Sequence, residues 1–167
     1  LTVWGYYDEE IAESNFGEVW KVVPGHDPVR LARADLSPYG MLLGVAVDPN
    51  FASGNRYVYL YYTHRHGSNC SAANRANRVS SFTLDGNNIA GNELVLIDRI
   101  PAPGSNHNAG DLHFGRDGFL YVAVGDGGQD LQTGGGGAQN GNARRLDLLS
   151  GKILRITPDG GIPAGNP

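Results

Sequence analysis

His107 and Asp126 stand at the two ends of a stretch that reads as one β-hairpin, and a histidine facing a carboxylate is the chain's clearest chemical signal. The segment His107-Asn108-Ala109-Gly110-Asp111-Leu112-His113-Phe114 leads through Gly115-Arg116-Asp117-Gly118 into Phe119-Leu120-Tyr121-Val122-Ala123-Val124-Gly125-Asp126. A turn centred between Arg116 and Asp117 sets Phe114 opposite Phe119 and His107 opposite Asp126. A two-residue Asp117-Gly118 turn moves the register by one step and makes the pair diagonal. Opposed residues lie about 4.5–5.5 Å apart at Cβ and diagonal ones about 7–8 Å, so with either turn the carboxylate reaches the imidazole. A histidine held in this way is suited to general-base work, because the anion fixes its tautomer and stabilises the imidazolium formed on proton abstraction. The same spacing also allows a plainer arrangement, in which His107 caps a loop and Asp126 caps the turn at Gly127-Gly128 through backbone hydrogen bonds.

Other residues with chemical potential are less well supported. His64 and His66 would share one face of a strand, but a metal site needs three or four ligands and no acidic or cysteine partner is close in sequence, so the stretch reads as an exposed loop. His113, between Leu112 and Phe114, is expected to pack inside the sheet. Gly134-Gly135-Gly136-Gly137 is not followed by Lys-Ser or Lys-Thr and reads as a flexible insertion rather than a phosphate cradle. The acidic stretch from Asp126 to Asp130 lacks the alternating oxygen ligands of a calcium loop. Cys70 is the single cysteine, which excludes an internal disulfide framework and a thiolate cluster built by this chain alone. Asn69-Cys70-Ser71 matches a glycosylation acceptor in form only.

The elements that must position His107 and Asp126 are strands. Among 167 residues there are 25 Gly and 9 Pro, set between short runs rich in Val, Tyr and Ile, the pattern of many strands joined by tight turns. Hydrophobic residues make up 40% and charged residues 18%, a balance that supports one folded all-β domain over residues 1–167. The net charge of -4 is scattered; with no basic stripe, nucleic acid is not an expected partner. No apolar run approaches the roughly 18 residues of a transmembrane helix, so no membrane span is expected.

Three segments end alike: Gly17-Glu18-Val19-Trp20-Lys21-Val22-Val23-Pro24-Gly25, Arg78-Val79-Ser80-Ser81-Phe82-Thr83-Leu84-Asp85-Gly86 and Lys152-Ile153-Leu154-Arg155-Ile156-Thr157-Pro158-Asp159-Gly160. A second element recurs, with Leu43-Gly44-Val45-Ala46-Val47-Asp48-Pro49 leading to Tyr57-Val58-Tyr59-Leu60-Tyr61-Tyr62 as Leu112-His113-Phe114 leads to Phe119-Leu120-Tyr121-Val122. Long, irregular repeats of several strands suggest propeller blades carrying insertions. Runs that are apolar at nearly every position suit strands buried on both faces, whereas a β-sandwich is the competing architecture. The expectation is a partial β-propeller of about two and a half four-stranded blades, near 1–37, 38–92 and 93–167. Since a propeller needs about four blades to close, the chain is expected to be a fragment of a larger protein.

Several motifs then resemble a known family: Leu42-Leu43-Gly44-Val45-Ala46-Val47-Asp48-Pro49-Asn50-Phe51, Tyr57-Val58-Tyr59-Leu60-Tyr61-Tyr62-Thr63, His107-Asn108-Ala109-Gly110, Phe119-Leu120-Tyr121-Val122-Ala123-Val124-Gly125-Asp126-Gly127-Gly128 and Gly151-Lys152-Ile153-Leu154-Arg155-Ile156. In unbroken order from about Phe16 to Pro167, they resemble the soluble quinoprotein glucose/sorbosone dehydrogenases. The resemblance implies a six-bladed propeller that binds pyrroloquinoline quinone (PQQ) and calcium on its axis and oxidises aldoses at the anomeric carbon. It implies His107 as the base that takes the hydroxyl proton while hydride passes to the quinone, Asp126 as the carboxylate that holds it, and Asn106 as a polar residue beside the cofactor.

The chain departs from the family pattern at two places. Tyr39-Gly40-Met41 stands where the family often has Gln or Glu ahead of Gly-Leu-Leu-Gly, and Ala109 replaces one Gly of the His-Asn-Gly-Gly motif, a change that matters if the backbone there needs φ > 0. The family's calcium ligands and the cations that hold the quinone carboxylates are expected beyond Pro167. The implied partners are a sugar substrate and an external electron acceptor, and the implied location is periplasmic or secreted. The alternative from another class is a noncatalytic extracellular propeller that binds a protein or a carbohydrate.

Overall fold

The computed structural model describes residues 2–6, 16–22, 27, 29–35, 41–65, 74–87, 89–103, 107–128 and 141–166. Among these residues ten strands form three antiparallel sheets, and the helical content is limited to short 3-10 turns, such as Phe51–Ser53 and Asn142–Arg144. The first sheet has the order β1 (Thr2–Tyr6), β2 (Phe16–Val22), β3 (Val29–Asp35). The middle sheet has four strands in sequence order: β4 (Leu42–Val47), β5 (Tyr57–Arg65), β6 (Arg75–Leu84) and β7 (Ala90–Pro101). The third contains β8 (Ala109–Phe114), β9 (Leu120–Val124) and β10 (Lys152–Ile156), with β9 central.

The two recurring sequence elements fold alike. The units β4-β5-β6 and β8-β9-β10 are both antiparallel meanders, and the strands β6 and β10 both end in a side-chain-locked turn. After β6, Asp85 Oδ1 accepts from the N–H groups of Asn87 and Ile89, each at 2.8 Å. After β10, Thr157 Oγ1 accepts from Gly161 N–H at 2.7 Å. Side-chain oxygens that satisfy backbone donors in this way are why Asp and Thr recur at the ends of the apolar runs.

β5 shows why those runs are apolar throughout. On one face Val58, Leu60 and Tyr62 pack with Leu84, Leu42, Val45 and Phe82. On the other, Tyr59 and Tyr61 pack with Val79, Ile100 and the third sheet's Leu112, Leu120, Val122, Val124 and Ile156. Since strand residues alternate sides, a strand buried on both faces has no position for a charged side chain, and each fully buried Leu or Val contributes roughly 1.5–3 kcal/mol. The first strands of the middle and third sheets also meet backbone to backbone. A Cβ on Gly44 would lie 1.7 Å from the carbonyl oxygen of Gly110, so this approach requires glycine.

The middle sheet extends further along the chain than the sequence repeat suggests. β7 crosses the expected boundary at 92 and stays paired with β6 as far as Pro101, opposite Ala76. Its pairing shifts at several points and its exposed residues include Glu93, Leu94 and Val95, so it carries none of the regular alternation that marks a strand in sequence. Among the described residues, no helix is long and apolar enough to cross a membrane.

Candidate active site

The hairpin β8–β9 brings His107 and Asp126 together, through a turn different from both expected ones. Phe114 pairs with Leu120, His113 with Tyr121 and Leu112 with Val122. The loop is therefore Arg116-Asp117-Gly118, closed by hydrogen bonds from Gly115 N to Phe119 O (2.9 Å) and from Gly118 N to Gly115 O (3.0 Å). That register is one residue out from a direct His107–Asp126 pairing. A bulge between Ala109 and Leu112 inserts one residue in β8 and returns Ala109 to Val124, beyond which Gly125 N donates to Asn108 O and Gly127 N to His107 O, both at 3.1 Å. A bulge that re-aims a side chain is a known device next to active sites.

The backbone at the bulge is unusual. His107 has φ 56°, Ala109 φ 54° and Gly110 φ 138°, so the position where Ala replaces a family glycine is one that does adopt φ > 0. For an L-residue that conformation costs about 1–2 kcal/mol. Opposite it, a Cβ on Gly125 would lie 1.8 Å from the carbonyl oxygen of His107, so the His107 segment crosses β9 by backbone contact.

His107 Nδ1 lies 3.0 Å from Asp126 Oδ1. A carboxylate only accepts, so Nδ1 carries the hydrogen and, in the neutral ring, Nε2 is left as the basic atom. Nε2 has no hydrogen-bond partner among the described residues. The His107 side chain is 36% exposed and that of Asp126 22%, so the ring is held at Nδ1 and partly open to solvent. Asp126 Oδ1 also accepts from Gly128 N–H at 3.0 Å, and its backbone oxygen accepts from Asn142 Nδ2 at 3.3 Å. The two sequence readings of Asp126 thus hold together: the carboxylate caps its own turn, and the same oxygen orients the imidazole.

Other candidate residues fall elsewhere. Asn106, His66, Cys70 and Gly134 to Gly137 lie outside the described residues. His64 is on β5, where Nε2 meets Asp98 Oδ1 at 3.1 Å beside Arg78, itself bound to both Asp98 oxygens at 3.0 Å. Burial, then the nearby Arg78, lowers the His64 pKa. This is an ion cluster across β5, β6 and β7, which sequence reasoning missed because the shifts in β7 hide which residues oppose which. His113 is exposed rather than packed inside, because strand alternation turns its neighbour Leu112 into the core. A groove of about 500 Å³ lined by Asp48, Tyr57, Tyr59, Phe114 and Asp159 includes neither His107 nor Asp126 in its walls. Among the described residues no group of three or more His, Cys, Asp or Glu is gathered as a metal ion would require.

Comparison with known proteins gives the same direction as the geometry. The sequence pattern of the family described as Glucose / Sorbosone dehydrogenase matches residues 19–167. An uncharacterized protein of Synechocystis sp. is 35% identical over 131 residues, covering 78% of this chain and 30% of the relative. The aldose sugar dehydrogenase YliI of Escherichia coli is 29% identical over 128 residues, covering 77% of this chain and 31% of its own length. Among solved structures, a putative oxidoreductase (glucose dehydrogenase) of Thermus thermophilus superposes with a TM-score of 0.68 at 28% identity, over 91% of this chain and 44% of that one. The chain therefore spans about a third of these curated relatives and under half of this structural neighbour. With the family pattern running through all of the middle and third sheets and through the hairpin that joins His107 to Asp126, the chain belongs to the glucose/sorbosone dehydrogenase family.

Proposed function

We propose that this chain supplies the proton-abstracting part of a PQQ-dependent aldose dehydrogenase, its three sheets being blades of a six-bladed propeller. The observation that carries the reading is the 3.0 Å contact of His107 Nδ1 with Asp126, which leaves Nε2 as the basic atom on the other edge of the ring. A sugar whose anomeric hydroxyl approaches that edge gives its proton to Nε2, and Asp126 stabilises the imidazolium that results. In the family the quinone, when bound, supplies the hydride acceptor, so loss of hydroxyl proton and C1 hydride together leaves a lactone. Calcium, which wants six to eight oxygen ligands, and the quinone carboxylates would be held by residues elsewhere in the protein, with Asn106 beside the cofactor. An external electron acceptor and a periplasmic or secreted location complete the reading, both on family resemblance.

The test is His107→Ala in the full-length protein, loaded with PQQ and calcium and assayed by dye reduction with a panel of aldoses. Turnover should fall about 10²–10⁴-fold, the range for loss of a general base, while quinone binding is retained. Wild-type turnover in the variant would remove His107 from the base role.

A further inference from the structure

Behind His107 a polar network lies where two sheets pack together. Thr63 Oγ1 on β5 donates to Asn77 Oδ1 on β6 at 2.8 Å. Asn77 Nδ2 donates to the Tyr61 hydroxyl at 3.1 Å and to Asn108 Oδ1 at 3.0 Å. The Tyr61 hydroxyl in turn donates to the backbone oxygen of Asn108 at 3.1 Å. All four residues are buried, Tyr61 and Asn77 almost completely at 0% and 1% exposure. Burial pushes the Tyr61 phenol up to about 12, so it stays a neutral donor around neutral pH. Neither proton abstraction nor the fold requires this polarity: an apolar set of the same shape stabilises a core as well or better.

The network reaches Asn108, the residue between the two left-handed positions His107 and Ala109. Strained non-glycine conformations persist only where the surroundings over-determine them. Asn108 is gripped at both ends, its side chain by Asn77 and its backbone oxygen by Tyr61 and by Gly125 N–H. We propose that Asn77 and Tyr61 are positioning residues for the base: by clamping Asn108 from the neighbouring sheet they hold His107 in the backbone conformation that presents Nδ1 to Asp126. This rests on the reading of His107 as the base.

The test uses the full-length protein with Asn77→Ala, Tyr61→Phe, His107→Ala and the two double variants combining each with His107→Ala. Folding is checked by thermal unfolding, and the His107 ring is observed by ¹⁵N imidazole NMR. Wild type should show the Nδ1–H tautomer, and cutting the network should erode that preference. Turnover should fall by roughly 10–100-fold for Asn77→Ala, the scale of a misplacement near 1 Å, and less for Tyr61→Phe, with KM for the sugar within about threefold. In the His107→Ala background neither substitution should lower the residual rate further, because residues acting as a unit are not additive. The proposal is overturned if folded variants keep both the tautomer and turnover within about twofold of wild type, or if their losses multiply with that of His107→Ala. If Asn77→Ala does not fold, Tyr61→Phe, which removes one oxygen, decides alone. A His107→Ala protein with full turnover refutes the base reading instead, and the tautomer then still reports whether the network holds the ring.

Discussion

Gly125→Ala tests whether the His107 segment is held by backbone contact with β9. The added Cβ would lie 1.8 Å from His107 O and 2.8 Å from the carbonyl carbon of Asn108. Both neighbours are backbone, so no side-chain rotation relieves the clash, and restoring an ordinary contact moves the segment by more than about 1 Å. Two ladder hydrogen bonds cross the same contact, Gly125 N to Asn108 O and Gly127 N to His107 O. At about 0.5–1.5 kcal/mol net for each, losing both costs roughly 1–3 kcal/mol. A displacement of that size at a reacting group costs on the order of 10²-fold in rate, about 2.7 kcal/mol of barrier. The full-length variant should therefore unfold at lower denaturant concentration and turn aldose over about 10²-fold more slowly. Gly118→Ala is the control. Gly118 has φ 80° and nothing within 4 Å of the new Cβ, so the substitution adds strain of about 1–2 kcal/mol at the far end of the hairpin and leaves turnover unchanged. If Gly125→Ala matched wild type in both measurements, or if Gly118→Ala lost as much turnover, the argument from backbone contact would be wrong.

Asp126→Asn keeps the shape of the side chain but can present an N–H to Nδ1 and invert the tautomer; turnover should fall in the same direction as, but less than, for His107→Ala, in dye-reduction assays at fixed quinone. Leu120→Ala removes a fully buried side chain between the middle and third sheets and should cost about 2–5 kcal/mol in urea unfolding. The hydrogen bond from Arg78 lowers the Asp98 pKa from 3.8 to about 2. With the folded value depressed, the pair stabilises the fold above the unfolded pKa, and that contribution disappears as pH falls from about 4 to about 2. Thermal unfolding of Asp98→Asn against wild type should accordingly show a modest deficit at neutral pH, because Asp98 is partly exposed, and a gap that narrows across that acid window.

Strand positions were legible in the sequence wherever both chemistry and period agreed. The apolar run from Phe119 to Val124 is bounded by Gly118 and Gly125, and β9 stands where its composition puts it, whereas β5 starts with its apolar run at Tyr57 but continues through Thr63-His64-Arg65, a stretch that reads as loop. β7 was not legible as a member of the middle sheet, because its register slips and its exposed residues break the alternation. The His107–Asp126 pair was legible for a reason that spacing alone does not contain. The three-residue loop displaces the register by one position, and the bulge at Gly110-Asp111 displaces it back; the two irregularities compensate. Only Gly110 marks the bulge in sequence. Asn77 and Asn108 are ordinary polar residues in the sequence, and their burial acquires meaning only once β6 is seen to face the start of β8.

The placement of His107 is therefore not a property of one hairpin. Hydrogen bonds from Gly125 and Gly127 and the capping carboxylate of Asp126 all come from the segment that follows β9 of the third sheet, and they fix where the His107 segment runs. The grip on Asn108 comes from Tyr61 and Asn77 of the middle sheet, and the glycine contact of Gly44 with Gly110 sets how close the two sheets come. Two left-handed residues at about 1–2 kcal/mol each would relax toward ordinary backbone if either side let go. The orientation of His107 thus depends on packing between sheets, so substitutions that loosen that interface without touching the histidine should act on turnover as well as on stability, which a base carried by an autonomous hairpin would not show.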